Sequence, residues 1–505
     1  MAGQGANLLL EAVARESTMM DLKRSTLRGG LARLCALCTN LLVRAASLLV
    51  LSRVLRPSDF GLVGMVTALT GILVLFRDFG LSAATIQRAS VTDEQLSTLF
   101  WINIFIGTLL GLAGMAMAPA IAYFYGRPEL FQVTAFLALA FIINSAGVQH
   151  SATLQRRMRF TTLSLIEVSS LALGNAVAIV AALAGYGYWA LVAMSVATPL
   201  AATTGFWWAS GWIPGLPRRG AGVLPMMHYG SMLTLNGLVT YVGYNADKVL
   251  LGRAWGASAT GVYSRAQQLL FLPIDSLNTA VGEVTFSALS RLQDDPIRLK
   301  NYFLKGFSLV LGLTLPIAIM CALFADDVVY VLLGSQWTGA VEIVRLLAPT
   351  VAIRAIIHPV GWLVCAIGLV KRSLWIALVF TPIMVIGCLI GLPFGAVAIA
   401  AAYSTVMTLW AVPFILWSVH RTPISAGEIL LTVIRLLAPG VLAGGVAYGL
   451  RLLCWEDFSH FFRLILENMT LFGVYFGLLW FDAAQRSLYI DLFRGLRPAP
   501  VGSVP

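Results

Sequence analysis

The sequence predicts an all-α, polytopic membrane protein. Of its 505 residues, 59% are apolar and only 11% are charged. About a quarter of the residues are charged in a soluble globular protein, so this chain lacks the side chains for a water-exposed surface. Helices are the expected spanning element because each helix satisfies its own backbone hydrogen bonds in lipid. A soluble enzyme, a disordered chain and a secreted disulfide scaffold are excluded.

Apolar stretches of about 20 residues, the length that crosses a bilayer as a helix, recur along the whole chain. On this criterion we predict about fourteen spans, of which the eighth and the tenth are long and carry charges. The predicted spans are 30–55, 61–86, 98–125, 130–154, 162–184, 188–210, 228–252, 260–290, 301–325, 339–367, 373–391, 395–418, 429–450 and 461–481. The connections between them are short, so no large extramembrane domain is expected.

An internal repeat divides these helices into two sets. LSRVLRPSDFGLV starts at Leu51 and LGRAWGASATGVY starts at Leu251, with Leu, Arg, Ser and Gly at matching positions. Six helices per repeat is an even number, so the two lobes have the same orientation, a design found in many transporters. The predicted segments are a cytoplasmic tail (1–28), an N-lobe (29–210), an interlobe linker (211–227), a C-lobe (228–418), two extra helices (429–481) and a second tail (482–505).

Positive charges predict the orientation. Lys and Arg concentrate in alternate connections, including 156–159, 218–219 and 371–372, whereas the other connections hold few. Because positively charged loops stay in the cytoplasm, both termini are predicted to be cytoplasmic.

Ionisable and polar residues recur on single faces of several predicted spans, although each charge costs about 2.5–3.5 kcal/mol at the centre of a helix in the membrane. Such stripes indicate an aqueous cavity shared by the two lobes. The candidate substrate-binding cations are Arg44, Lys248, Arg265 and Arg354. The candidate polar lining is Asn40, Tyr241, Asn245, Gln268 and Thr279. The candidate ion-coupling acids are Asp78, Asp275 and Glu283, which are equally suited to neutralising nearby arginines.

An excess of arginine in the cavity favours an anionic ligand. Guanidinium groups stay charged and match phosphate oxygens with two parallel hydrogen bonds. The residues therefore indicate a transported anion such as a phosphate or pyrophosphate, without indicating what is attached to it.

Motifs for chemistry are missing from the sequence. There is no Walker A loop, no H-E-x-x-H and no G-x-S-x-G. We therefore expect no enzyme activity, no catalytic residues, no cofactor, no metal site and no nucleic-acid partner. The adjacent acids Asp326 and Asp327 are predicted to be solvated in a short external turn or to cap a helix.

Several motifs resemble one known family. They are LSRVLRPSDFGLVGM (51–65), FRDFGLSAATIQR (76–88), EQLSTLFWIN (94–103), NADKVLLGRAWGASATGVYSRAQQLLFLP (245–273), FSALSRLQDD (286–295) and LGSQW (333–337). In this order they resemble the Wzx-like polysaccharide and O-antigen flippases, in the colanic-acid and lipopolysaccharide exporter branch of the multidrug/oligosaccharidyl-lipid/polysaccharide exporter superfamily. Lys248, directly after Asp247, departs from the pattern expected there and adds a cation.

The resemblance implies two six-helix lobes around a central cavity, plus two further helices. It also implies a bacterial inner-membrane location, an undecaprenyl-pyrophosphate-linked oligosaccharide as substrate, contact with membrane lipid, and polysaccharide polymerase and export machinery as partners. Two other functions stay open, a cation-coupled multidrug exporter of the same superfamily and a membrane glycosyltransferase or polymerase. The arginine excess argues against the first and the short external loops against the second.

Overall fold

The protein is described by a computed structural model, which covers residues 35–77, 92–217, 224–455, 458–482 and 485–486. The chain divides into two compact units, Met1–Tyr241 and Val242–Pro505. All regular secondary structure in the described ranges is helical.

In the described residues, the first unit holds six helices and the start of a seventh. Their bounds are α1 Cys35–Val54, α2 Pro57–Val74, α3 Asp93–Tyr125, α4 Glu129–Arg156, α5 Phe160–Leu183, α6 Trp189–Ser210 and α7 Leu224–Arg291. Capping residues determine where some of these helices begin and end. Thr92 caps α3 by accepting a hydrogen bond from the backbone N–H of Gln95 at 3.2 Å, and α3 ends at Gly126 in the left-handed conformation.

The second unit contains the rest of α7 and seven further α-helices in the described residues. They are α8 Pro296–Leu323, α9 Ala325–Leu332, α10 Ala340–Ala366, α11 Val370–Gly391, α12 Ala396–Val419, α13 Ala426–Leu450 and α14 His460–Phe481. Helix α10 packs between α8 and α12, and α13 packs on both α8 and α14. A π-helical turn, Arg451–Trp455, follows α13.

The break in α7 lies where the sequence repeat predicts it. Gly256 has φ 78° and ψ −172°, a conformation that favours glycine and interrupts the helix. In the first repeat, Arg56 occupies the matching position as the N-cap between α1 and α2. Both copies of the motif therefore mark a helix–turn–helix, which supports the two-lobe prediction, while the predicted lobe boundaries stay predictions.

Eleven helices among the described residues are long and apolar enough to cross a membrane. They overlap all the predicted spans except 228–252, 260–290 and 339–367, which correspond to α7 and α10. Of the predicted span 61–86, α2 covers residues up to Val74, and residues 78–86 lie outside the described residues. The count of about fourteen spans stays a prediction. Near the start of the predicted linker, residues 211–217 are not helical, and Gly215 is held on α3 by hydrogen bonds with Ser97 (3.0 Å) and Trp101 (2.8 Å).

Close helix packing in the first unit depends on small residues. A Cβ on Gly147 of α4 would lie 2.7 Å from the hydroxyl oxygen of Thr203 on α6 and 3.3 Å from its Cα. That hydroxyl already donates to the carbonyl of Ile143 at 3.0 Å, so it is held in place. Helices in membranes use such small residues to bring their backbones together.

We expect Gly147→Ala to destabilise the protein by about 1–3 kcal/mol, because the added methyl group must displace Thr203. The measurement is the thermal unfolding midpoint of the purified protein in detergent. Gly445→Ala on α13 is the matched control, since a Cβ there meets no heavy atom within 4 Å. Equal midpoints for the two variants would contradict the prediction.

Candidate functional site

A buried carboxylate organises the hairpin within α7. Asp247 is fully buried and accepts hydrogen bonds from the hydroxyl of Tyr263 at 2.9 Å and from the Gln267 side-chain amide at 2.6 Å. Its other oxygen accepts from the backbone N–H of Lys248 at 2.7 Å. Hydrogen bonds to a charged group are among the stronger ones in proteins, so this network fixes the two arms of α7 against each other.

Three predicted charges of the second unit lie near one another beside this network. The side chain of Arg354 on α10 is 14% exposed, and its guanidinium lies 3.7 Å from the carboxylate of Asp275. Lys248 lies within electrostatic reach of both residues, and its ammonium donates to Asn245 at 3.4 Å. The structure thus brings together two cations and one acid that the sequence spreads between positions 248 and 354.

Aromatic rings flank the Arg354 guanidinium. Its central carbon lies 3.8 Å from the ring centre of Phe271 and 5.0 Å from that of Tyr244. Such cation–π contacts hold the guanidinium plane, and the Arg354 Nε is buried without a hydrogen-bond partner among the described residues. This arrangement suits recognition of an anion better than a fully hydrogen-bonded ion pair does.

Arg265 and Gln268 pair with each other one turn apart on α7. The Arg265 guanidinium donates to the Gln268 side-chain oxygen at 2.6 Å, and Arg265 is only 6% exposed. A buried guanidinium has several donors and therefore can bind more than one acceptor.

The predicted residues of the first unit have separate surroundings. Arg44 is exposed on α1, and Asn40 is half-buried one turn before it. Tyr241, predicted as polar lining, donates to the backbone carbonyls of Thr67 at 3.0 Å and Ala68 at 3.2 Å on α2. The Tyr241 hydroxyl therefore ties the start of α7 to α2.

Part of the predicted set falls outside the described structure. Asp78 is one such residue, and the side chains of Thr279 and Glu283 are others. The cavity shared by both lobes, and the roles of all these residues, stay predictions.

Sequence reasoning missed Tyr263, Gln267 and the aromatic rings around Arg354. Tyr263 and Gln267 are four residues apart on one helical face, which is also typical of ordinary core positions. Only the break at Gly256 turns this face back toward Asp247. In the sequence, the repeated motif around Gly256 is the signal that could have indicated this turn.

The prediction for Asp326 and Asp327 was wrong for Asp327. Asp327 is fully buried in the first turn of α9, where it accepts hydrogen bonds from Arg463 and pairs with His460. Its partners Arg463, His460 and Arg451 are positively charged or ionisable and compensate for its burial. All three are more than 120 residues away in the sequence, so the two adjacent acids alone could not indicate them. No group of three or more His, Cys, Asp or Glu suited to a metal ion occurs in the ranges that the structure describes.

Comparison with known proteins identifies the family. Residues 50–342, more than half of the chain, match the family described as "Polysaccharide biosynthesis protein". The chain belongs to this family.

Named relatives support the same assignment. The lipopolysaccharide biosynthesis protein WzxC of Escherichia coli K12 is 26% identical over 380 residues, which cover 73% of this chain and 76% of the relative. The teichuronic acid biosynthesis protein TuaB of Bacillus subtilis 168 is 30% identical, with 58% of this chain and 61% of the relative covered. The succinoglycan biosynthesis transport protein ExoT of Rhizobium meliloti 1021 is 25% identical, with coverage of 59% and 60%.

Two solved structures show the same fold. The lipid II flippase MurJ in an inward closed conformation gives a TM-score of 0.69 at 13% identity, covering 90% of this chain and 99% of MurJ. An inward-facing multidrug transporter of the MATE family gives 0.61 at 16% identity, covering 80% and 99%. The predicted all-α polytopic fold class and the family resemblance are therefore confirmed.

This family member is a multi-pass membrane protein. Its relatives are named for biosynthesis and transport of polysaccharides, and none of the three names describes a catalysed reaction. The expectation that the chain is not an enzyme agrees with these names.

We expect Tyr263→Phe to destabilise the protein by about 1.5–3 kcal/mol, because it removes a buried hydrogen bond to the Asp247 carboxylate. The thermal unfolding midpoint of the purified protein measures this loss. Tyr186→Phe is the matched control, because Tyr186 is 65% exposed in the connection before α6. A midpoint for Tyr263→Phe equal to that of the control would show that the network contributes little.

Proposed function

We propose that this protein is a flippase for an undecaprenyl-pyrophosphate-linked oligosaccharide. It moves the lipid from the cytoplasmic to the periplasmic leaflet by alternating access, before the sugar enters surface polysaccharide such as exopolysaccharide, capsule or O-antigen. The observation that carries this proposal is the proximity of Lys248 and Arg354, on helices α7 and α10, in a chain of the polysaccharide biosynthesis family.

The physics of the substrate supports a cationic site. A pyrophosphate diester carries about two negative charges, and bare hydrocarbon would impose a prohibitive desolvation cost on it. Arg354 is held by aromatic rings and lies 3.7 Å from a largely exposed acid, Asp275, so its donors can exchange that partner for a phosphate oxygen. The hydrophobic lipid tail would remain in the bilayer while the head group passes.

The direction of transport follows from the membrane potential. Moving an anion outward releases about 2.3 kcal/mol per charge for each 100 mV of inside-negative potential. We further propose that the protein lies in the bacterial inner membrane with both termini in the cytoplasm, and that polysaccharide polymerase and export machinery take up its product.

The proposal is tested in a strain lacking this gene, with redundant flippases excluded. We expect the lipid-linked oligosaccharide to accumulate on the cytoplasmic leaflet and surface polysaccharide to be lost. Normal polymer without an accumulated intermediate would contradict the flippase proposal. A changed drug-susceptibility pattern alone would instead support the multidrug exporter.

The cationic site is tested by complementing that strain with Arg44→Ala, Arg265→Ala or Arg354→Ala. Each variant should fold and insert but reduce export roughly 10- to 100-fold, since a hydrogen bond to a charged group contributes about 1.5–3 kcal/mol. Arg298→Ala is the matched control, because that side chain is 78% exposed at the start of α8. Normal polymer from all three variants would remove the cationic-site proposal.

A further inference from the structure

A second cluster of charges lies in the second unit, where α9, α14 and the turn after α13 meet. At its centre is Asp327, which is fully buried. The Arg463 Nε donates to both carboxylate oxygens of Asp327 at 2.9 Å, and His460 Nδ1 lies 2.6 Å from one of them. The Arg451 guanidinium adds an ion pair at 3.3 Å. Asp327 therefore has the hydrogen bonds and positive charge that a buried ionised carboxylate requires.

Glu467 is the other buried acid of this cluster, and its surroundings differ. It lies about two turns into α14, is fully buried, and neither of its oxygens accepts a hydrogen bond from the described residues. Arg451 lies 3.4 Å from one oxygen, and Asp327 lies within hydrogen-bonding reach. Glu467 thus faces a second buried carboxylate, and Arg451 is its ion-pair partner among the described residues.

The two acids are expected to hold one proton between them. Two adjacent buried carboxylates repel each other, and an ionised carboxylate without hydrogen bonds is costly to bury. Arg463 and Arg451 both contact the Asp327 carboxylate, whereas neither Glu467 oxygen accepts a hydrogen bond from the described residues, and a protonated Glu467 can donate one to Asp327. The proton therefore belongs on Glu467.

The charged groups around Glu467 come from three elements. Helix α9 contributes Asp327, the turn after α13 contributes Arg451, and α14 itself contributes Arg463 and His460. Asp326 lies farther out, where it pairs with Arg345 and with Arg451 at 2.8 Å. Helix α8 also packs on α14 but supplies none of the charged groups that act most strongly on Glu467.

A path for the proton is visible from the same contacts. The His460 side chain is 40% exposed and stacks on Tyr330 at 4.1 Å, while its ring nitrogen contacts Asp327. His460 is the most exposed of the three side chains that pair with Asp327, and its Nδ1 also lies 2.9 Å from the Arg463 guanidinium, so solvent reaches the cluster through His460.

We propose that Glu467 is a proton-binding site, reached through His460 and Asp327, and that its loading and unloading are coupled to transport. The coupling rests on the proposed flippase function, whereas the proton site itself does not. Loss of the proton would leave two buried anions beside Arg451, which would shift α14 relative to α9. Glu467 is a different residue from Asp78, Asp275 and Glu283, the acids that the sequence suggests for ion coupling.

The proton site is tested by infrared spectroscopy of the full-length protein in lipid nanodiscs, without substrate. At neutral pH we expect a band of a protonated carboxylic acid that disappears as the pH rises and that shifts when glutamate is labelled with ¹³C. Glu467→Gln, which has the shape of the neutral acid, should lack the band. Asp326→Asn, the matched control within the cluster, should keep it.

Two infrared results would overturn the proton site. One is the absence of a protonated-acid band at neutral pH, and the other is a band that persists in Glu467→Gln. If that variant does not fold, the labelled wild-type protein decides, because a band that does not shift with labelled glutamate excludes Glu467.

Coupling is tested separately in proteoliposomes that contain a lipid-linked oligosaccharide. A gradient of one pH unit should change wild-type transbilayer distribution by up to about tenfold per coupled proton. Glu467→Gln should lose this response, and Asp326→Asn should retain it. Wild-type flipping without any response would overturn the coupling, whereas no flipping at all would contradict the proposed function and leave the infrared result standing.

Discussion

The cost of burying charge in a membrane protein governs both polar regions of the second unit. Asp247 and Asp327 are fully buried, and each accepts hydrogen bonds from side chains on other helical segments. In a low-dielectric interior an isolated carboxylate would be far more costly than a surface one, so these acids dictate which residues must lie around them. The hairpin in α7 and the junction of α9 with α14 both follow from this requirement.

The surroundings of Asp247 and of Asp327 both compensate a buried carboxylate, but with different kinds of partner. Around Asp247 the side-chain hydrogen bonds come from neutral groups, Tyr263 and Gln267, and Arg354 forms its ion pair with Asp275, whose side chain is 57% exposed. Around Asp327 the partners are cations, and the surplus acid is Glu467. An excess of positive charge suits an anionic ligand, and an excess of buried acid suits a proton. The proposed substrate site and the proposed proton site therefore belong to the same unit.

Helices α13 and α14 gain a physical role from this arrangement. From the sequence they are predicted to be two extra helices beside two six-helix lobes. In the structure they are joined to α9 by ion pairs that involve Arg451, His460, Arg463 and Glu467. Apolar packing of α13 on α8 adds to this junction. Because buried ion pairs depend strongly on protonation, this junction is more sensitive to pH than lipid-facing helix contacts would be.

The sequence by itself determined the fold class, the positions of most membrane helices and the family. Composition and apolar length suffice for these, because a bilayer requires long apolar helices whatever their packing. It also identified Lys248, Arg354 and Asp275 as charged residues inside predicted spans, where a charge is costly. Only the tertiary structure decided the partners of these charges. Tyr263 reaches Asp247 through the break at Gly256, and Arg463 reaches Asp327 from 136 residues away. Periodicity describes one helix at a time, whereas charge compensation depends on which helices meet.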